Sequence, residues 1–273
     1  MYDYNVTKKM TGEKDKKGES TNLGNSREVY NRDAEDFKNA APVLWSWNTI
    51  GEPQIKKHIE EYLKTADAST VTVNLEGGTV RDVELVIKQG IKPENISVFQ
   101  ISDDQVDQIK NSFPSVAVIR GDISQDHARE DSQDIVVRSM VTDFLNPDQL
   151  ENADKNTYNS LKLNGIFINY TIHPARIDAK ADAWKGTEKE IIFDNDGGFV
   201  TPGPWGSDFK NWHRTAGDLT ESLINSGFKK ENIFVSEHMI PKEATKHDPE
   251  HPERNPVQFG DVYNRLVVVA KKA

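Results

Sequence analysis

Cysteine is absent from the 273 residues, which excludes disulfides, thiolate metal centres and cysteine nucleophiles and leaves the redox compartment unread. Long apolar runs are absent as well: the longest is far too short to cross a bilayer, and the N-terminus carries charges where a signal peptide needs its apolar core. The expectation is a cytoplasmic protein with no membrane segment. Positive charge is scarce, with 34 Lys and Arg against 44 Asp and Glu, for a formal net charge of −10. That balance argues against nucleic acid or an anionic membrane as a partner and points to a small or neutral one. Hydrophobic residues make up 36%, a modest share, but on a chain of this length enough for a sizeable core.

What is present falls into three parts. Residues 1–30, "MYDYNVTKKMTGEKDKKGESTNLGNSREVY", are polar, with almost no apolar periodicity, and are expected to form a flexible tail because they cannot bury enough surface to offset ordering. Residues 31–70 contain "NRDAEDFKNAAPVLW" and "EPQIKKHIEEYLKTA", two helical patterns. The second places Ile55, Ile59 and Tyr62 on one face, with Pro53 near its start. These helices are expected to cap the site of the main domain, residues 71–273.

After Thr70 strands and helices alternate. "VTVNL" (71–75), "ISVFQI" (96–101), "VAVIRGD" (116–122), "DIVVRSM" (134–140) and "GIFINYTI" (165–172) read as strands. Helices are expected over 79–90, 102–113 and 147–165. Short, continuously apolar strands separated by helices imply a parallel sheet covered on both faces. Residues 173–214 form a long insertion rich in Gly, Pro, Trp and Asp, followed by a helix at 215–228 and strands at 232–240 and 264–272. The polar connection between those two strands carries no helical pattern, so they are expected to run antiparallel. The fold class is therefore α/β, a doubly wound, mainly parallel seven-stranded sheet with an antiparallel last strand.

This order of elements, with the local residues "VNLEGGTVR", "VFQIS", "RGDIS", "DIVVRSMVTDFL", "LKLNGIFINYTI", "IHPA" and "NWHRTAGDLTESLINSGF", resembles the class I S-adenosylmethionine-dependent methyltransferases of small-molecule type. The resemblance spans Val71 to Lys272. It implies S-adenosylmethionine as cofactor and a small-molecule acceptor. By the same resemblance, Asn74, Glu76, Gly77 and Gly78 form the glycine turn after the first strand. Gln100 with Ile101 takes the ribose position, Asp122 with Ile123 the adenine position, and the fourth-strand motif faces the methionine part.

The motif is divergent. Asn74 stands where the family has an acid, Glu76 replaces the first glycine, Val80 the third, and Gln100 the ribose-binding carboxylate. Gln100 can still bond a hydroxyl, without the charge assistance that roughly doubles such a bond. Glu76 would repel a cofactor carboxylate and attract its ammonium or sulfonium. Arg138, at the end of a buried strand, has two partners open to it, the cofactor carboxylate or Glu76.

The candidate bases are His173 after the fifth strand, His213 before the last helix, and Asp143 after the fourth strand, since open α/β sheets bind ligands beyond the carboxyl ends of their strands. His173 before Pro174 reads equally as a turn residue. Trp184, Phe199, Trp205, Phe209 and Trp212 are either a lid over the acceptor or the insertion's own core, and "WSW" (45–47) has the same two readings. "HDPEHPE" (247–253) carries metal-type donors but reads as an exposed loop, so no metal is expected. Two other functions stay open: a regulatory or binding module on the same fold with an altered cofactor site, and a same-fold enzyme using S-adenosylmethionine for a reaction other than methyl transfer. A nicotinamide-dependent dehydrogenase is disfavoured, because "NLEGGTVRD" lacks the Gly-x-Gly-x-x-Gly spacing.

Overall fold

The computed structural model describes residues 46–126, 128–186, 191–195, 197–202, 208–239 and 263–273, with the backbone alone at 180, 183–184, 201–202, 208–209 and 263–264. The polar tail, the helical pattern over 31–45, Trp45, Trp205, the side chains of Trp184 and Phe209, and the "HDPEHPE" loop lie outside these residues.

Nine strands are described: β1 Val73–Glu76, β2 Ile96–Gln100, β3 Ala117–Arg120, β4 Gln133–Ser139, β5 Leu161–Ile172, β6 Gly198–Pro202, β7 Asp208–Trp212, β8 Ile233–Met239 and β9 Tyr263–Lys271. The described helices of more than one turn are α1 Glu52–Leu63, α2 Val80–Lys88, α3 Asp103–Ser112, α4 Pro147–Ser160, α5 Pro174–Trp184 and α6 Ala216–Ser226, and a π-helical turn, Trp47–Gly51, leads into α1. Seven strands form one sheet in the order β3-β2-β1-β4-β5-β9-β8, and β6 and β7 form a separate hairpin. Neighbours from β3 through β5 are parallel, and β9 runs antiparallel to both β5 and β8.

The chain winds outward from β1 through β2 to β3, then returns to place β4 on the other side of β1. That reversal makes the carboxyl ends of β1 and β4 the topological switch point, the position at which open α/β sheets take ligands. Alternation along the strands divides the core in two. Val73, Leu75, Val98, Ile135, Val137 and Ile168 point to the face that also buries Ile55 and Ile59 of α1 and Val83 and Val86 of α2. Val136, Phe167, Leu266 and Val268 point to the other face, against Leu150 and Ala153 of α4 and Leu219 and Leu223 of α6. Among the described residues no helix is long and apolar enough to cross a membrane.

One expectation is corrected. The helix expected over 147–165 stops at Ser160, and Leu161–Gly165 begin β5 instead. Leu161 already has extended geometry and pairs with Gln133, and the register then shifts so that Ile135 meets Ile166. Asn164, at φ 67°, turns the chain within this irregular lead-in. Within the insertion, α5 begins at Pro174, which has no amide proton to satisfy, and His173 caps it.

Candidate functional site

The turn after β1 is held by close packing and by bonds to β2. Gly77 is left-handed at φ 72°, and its amide donates to the Phe99 carbonyl at 2.8 Å, tying the turn to β2. Met140, also left-handed at φ 58°, turns the chain after β4. The next side chain, Val141, reaches so close that a Cβ at Gly77 would lie 2.1 Å from Val141 Cγ2. A Cβ at Gly78 would lie 2.7 Å from Leu75 Cβ. The glycines thus admit the protein's own side chains. Gly77→Ala is expected to cost about 2–5 kcal/mol, combining left-handed strain with overpacking, as measured by urea unfolding. Adding Val141→Ala should recover the packing part of that loss.

Glu76 and Asn74 occupy one face of β1, facing away from α1. Ser97 Oγ donates to the Asn74 side-chain oxygen at 2.9 Å. The β1–β4 register sets Glu76 directly beside Arg138, and Arg138 Nε donates to Glu76 Oε2 at 2.7 Å. Nη1 of the same guanidinium donates to Asp154 Oδ1 at 2.6 Å, and Nη2 to Thr157 Oγ1 at 2.9 Å. Thr157 donates in turn to Glu76 Oε1 at 2.8 Å, and Ser222 to Asp154 Oδ2 at 2.6 Å. The Arg138 guanidinium also lies 4.9 Å over the Phe167 ring. Of the two partners open to Arg138, the structure shows Glu76.

This cluster is dry: Arg138 is 0%, Asp154 2% and Glu76 4% exposed. Burial pushes the Glu76 carboxyl above the ordinary carboxylate range, against the pull of Arg138 and Thr157, and the neighbouring Asp154 adds to the rise. Arg138, against the cost of its own burial, is held above its usual value by Glu76 and Asp154.

Gln100, at the end of β2, is drawn into the backbone of two turns. Its amide nitrogen donates to the Gly78 carbonyl at 3.1 Å and its oxygen accepts from the Ser102 amide at 3.1 Å. One hydrogen and one lone pair of the group remain for a further partner. Ile101 beside it is partly buried. After β3, Asp122 Oδ1 accepts from both the amide and the hydroxyl of Ser124, each at 2.9 Å. The other oxygen, Oδ2, is buried and has no hydrogen-bond partner among the described residues. The next residue, Ile123, is buried with Phe99 and Ala128.

The three candidate bases differ sharply. Asp143 is buried and accepts from the Thr171 hydroxyl at 2.6 Å and the Ile172 amide at 3.3 Å. Burial pushes its carboxyl above the ordinary range, opposed by those two bonds and by the charges of Arg265 and Arg214. His173 Nδ1 accepts from the Ala175 amide at 3.0 Å as the cap of α5, so the ring proton sits on Nε2, 3.4 Å from Glu237 Oε1. His213, at the end of β7, places Nε2 3.1 Å from Asp178 Oδ1 and meets the Phe193 ring edge-on at 6.0 Å. Its neighbour Arg214 donates through Nη2 to the Leu145 carbonyl at 2.9 Å, which fixes the end of β7 beside the segment that follows β4.

In the insertion, Phe199 packs with Ile177 and Ile191, and Trp212 is 2% exposed; both belong to buried structure. Trp47 meets Tyr170 edge-on at 6.2 Å. Arg265 Nε donates to the Tyr170 hydroxyl at 3.0 Å, and Nη2 to Ser46 Oγ at 2.8 Å. Among the described residues no group of three or more His, Cys, Asp or Glu could hold a metal ion.

The sequence reading passed over Asp154, Thr157 and Asp178. The spacing of Asp154 and Thr157 put them on one face of a helix, but their partner on the sheet depended on strand order. For Asp178 the signal would have been a capped helix starting at His173–Pro174, bringing it near His213.

No protein-family model matches the chain, and no curated protein matches it in sequence. Solved structures do. An S-adenosylmethionine-dependent methyltransferase from Mesorhizobium loti is 18% identical, with a TM-score of 0.56 over 81% of this chain and 100% of that one. Magnesium protoporphyrin IX methyltransferase from Synechocystis, solved with bound SAH, is 10% identical, with a TM-score of 0.59 over 92% and 100%. A TehB-like SAM-dependent methyltransferase from Corynebacterium glutamicum is 20% identical, with a TM-score of 0.51 over 91% and 98%. Identities this low carry the architecture and nothing finer: the chain has the Rossmann-like methyltransferase fold.

Proposed function

We propose that the protein binds S-adenosylmethionine in the crevice between β1 and β4 and transfers its methyl group to a small-molecule acceptor. The observation that carries this reading is the buried, unpartnered Asp122 Oδ2 beside Ile123, an acceptor suited to the amino group of an adenine whose ring packs on apolar side chains. Fold likeness to methyltransferases supports it. Bound there, the cofactor supplies a methyl group on a sulfonium, and its departure leaves a neutral thioether.

The chain's own contribution is alignment, exclusion of water and management of the acceptor's proton. Asp122 and Ile123 hold the adenine end. Gly77 and Gly78 shape the turn, and Gln100 ties it to β2 while keeping one donor and one acceptor for the ribose hydroxyls, with Ile101 as apolar neighbour. Asn74, Glu76 and Arg138 act from beneath, fixing the end of β1 against β4. Engaged by Arg138 and Thr157, the Glu76 carboxylate gives no support to a reaction in which it would touch the sulfonium. His213 is the base best arranged to take a proton from the acceptor. Asp143 and His173 shape the acceptor side through Thr171 and α5.

Asp122→Asn tests the binding site. The two Ser124 donors keep the amide oxygen at the Oδ1 position, so the amide nitrogen takes the Oδ2 position and presents hydrogens to the adenine amino group. Isothermal titration is expected to show affinity for S-adenosylhomocysteine falling about tenfold to a hundredfold. Absence of binding to the wild-type chain would instead favour a binding or regulatory module.

A further inference from the structure

Phe193 pairs with Phe199 in an isolated bridge, and in the β6–β7 hairpin Phe199 lies opposite Asn211, two residues before His213. Alternation along extended segments therefore sets Ile191, Phe193, Phe199 and His213 on one face of the insertion. Helix α5 covers that face. Ile177 packs with Ile191 and Phe199, and Asp178 reaches His213 Nε2 at 3.1 Å. The row is dry except at one end: Ile177 and Ile191 are 6% and Phe199 1% exposed, whereas Phe193 is 41% exposed. The Phe193 ring lies 5.3 Å from that of Phe199 and 6.0 Å from the His213 imidazole, to which it stands at 85°.

A single exposed aromatic side chain is ordinary on a protein surface. Phe193 is set apart by what it adjoins. Its neighbour His213 is the base proposed for the acceptor, and β7 packs on the Thr142–Phe144 turn that follows β4. The exposed ring thus lies on the carboxyl side of the sheet, where open α/β folds bind ligands. The charges flanking Phe193 and His213 in the chain are engaged away from the ring. Asp194 Oδ2 meets Lys210 Nζ at 2.7 Å, and Arg214 Nη2 donates to the Leu145 carbonyl at 2.9 Å. An apolar ring beside a base, with its flanking charges committed, suits a neutral aromatic body carrying one polar group.

We propose that Phe193 seats an aromatic ring of the acceptor and presents the acceptor's hydroxyl or amine to His213. The assignment rests on the proposed methyl transfer and names its acceptor class, a neutral aromatic compound with a hydroxyl or amine group. In the transfer, a lone pair of the acceptor's oxygen or nitrogen forms the new bond to the methyl carbon, the electron pair of the broken carbon–sulfur bond stays on sulfur, and the displaced proton passes to His213 Nδ1.

The test is calorimetric titration of the full chain, loaded with S-adenosylhomocysteine, with 2-naphthol and with 2-decalol, its saturated counterpart of similar size with the same hydroxyl. Wild type should prefer 2-naphthol by about threefold to tenfold, the contribution of one aromatic pair. Phe193→Leu should abolish that preference and Phe193→Trp restore it, with affinity for S-adenosylhomocysteine unchanged in both. Adding 2-naphthol to the loaded wild type should also shift the imidazole proton resonances of His213, assigned by their loss in His213→Ala, and this readout carries the test if the leucine variant does not fold. Equal binding of the two alcohols by wild type, a preference that survives in Phe193→Leu, or unmoved His213 resonances would each overturn the assignment, as would failure of the loaded chain to bind either alcohol. Failure of the wild-type chain to bind S-adenosylhomocysteine would instead overturn the cofactor site, and the role of Phe193 with it.

Discussion

Arg138→Met is expected to lower folding stability by about 3–5 kcal/mol, the usual cost of removing one partner from a buried ion cluster. The reason lies in what stays behind. Glu76 and Asp154 are both buried, and without the guanidinium only the Thr157 and Ser222 hydroxyls remain as donors. Two carboxylates in low dielectric then repel, and at least one takes up a proton.

That uptake gives the loss a direction with pH. The Glu76 carboxyl is raised by burial even with Arg138 present, and the variant should raise it further. A carboxyl whose folded value lies above its unfolded value contributes stability that is present below the unfolded value and lost as pH rises through the folded one. The variant should therefore be less impaired near about pH 5 than near about pH 8, because the unfolded carboxyls are already ionised over that range and holding a proton on the buried carboxyl grows costlier as pH rises. Urea unfolding at the two pH values measures both the size and the slope. A triple replacement, Glu76→Leu with Arg138→Met and Asp154→Leu, should recover most of the stability, because apolar side chains of similar volume replace such clusters with little loss. A loss under about 1 kcal/mol for Arg138→Met alone would show that the cluster contributes little to holding β1 against β4.

The same cluster shows how far the sequence could be read. The alternation of apolar strands with helices identified the doubly wound sheet, and the helix-free connection before the last strand identified its antiparallel direction. Both are local patterns, repeated often enough to be secure. The partner of Glu76 was different. Choosing between Arg138 and a ligand required the register that sets Glu76 beside Arg138, together with α4 delivering Asp154 and Thr157 from about eighty residues away in sequence. No pattern along one strand encodes which strand lies next to it. The packing of the glycine turn was out of reach in a related way: a Cβ at Gly77 would meet Val141, which follows left-handed Met140. A methionine at positive φ has no sequence signature. The end of α4 was missed because "LKLNG" continues a helical pattern, and only pairing with Gln133 makes Leu161 a strand residue. Asp122 was legible as a position, while its orphaned oxygen became visible only once Ser124 had claimed the other.

His213→Ala is expected to lower kcat by about a hundredfold to ten-thousandfold, the range for loss of a positioned general base, while leaving affinity for S-adenosylhomocysteine unchanged. The argument for His213 over His173 is a matter of lone pairs. His173 spends Nδ1 on the Ala175 amide and carries its proton on Nε2, so as a neutral cap it has no free nitrogen to accept another. His213 faces Asp178 through Nε2 at 3.1 Å. The carboxylate can only accept, so the proton sits on Nε2, Nδ1 is left as the basic nitrogen, and a charge gained there is stabilised across the ring. The edge of Phe193 and the bond from the His213 amide to the Gly197 carbonyl at 3.2 Å hold the ring in place. Asp178→Asn separates this arrangement from a merely structural one. The amide oxygen can still accept from Nε2–H but brings no charge to stabilise the imidazolium, so kcat should fall although the shape is kept. Release of S-adenosylhomocysteine, followed against pH with an acceptor found in a panel of small hydroxyl and amine compounds, measures both variants. Rates within about twofold of wild type for His213→Ala would place the acceptor's proton elsewhere, with an acceptor whose nucleophile is already deprotonated at working pH as the natural successor.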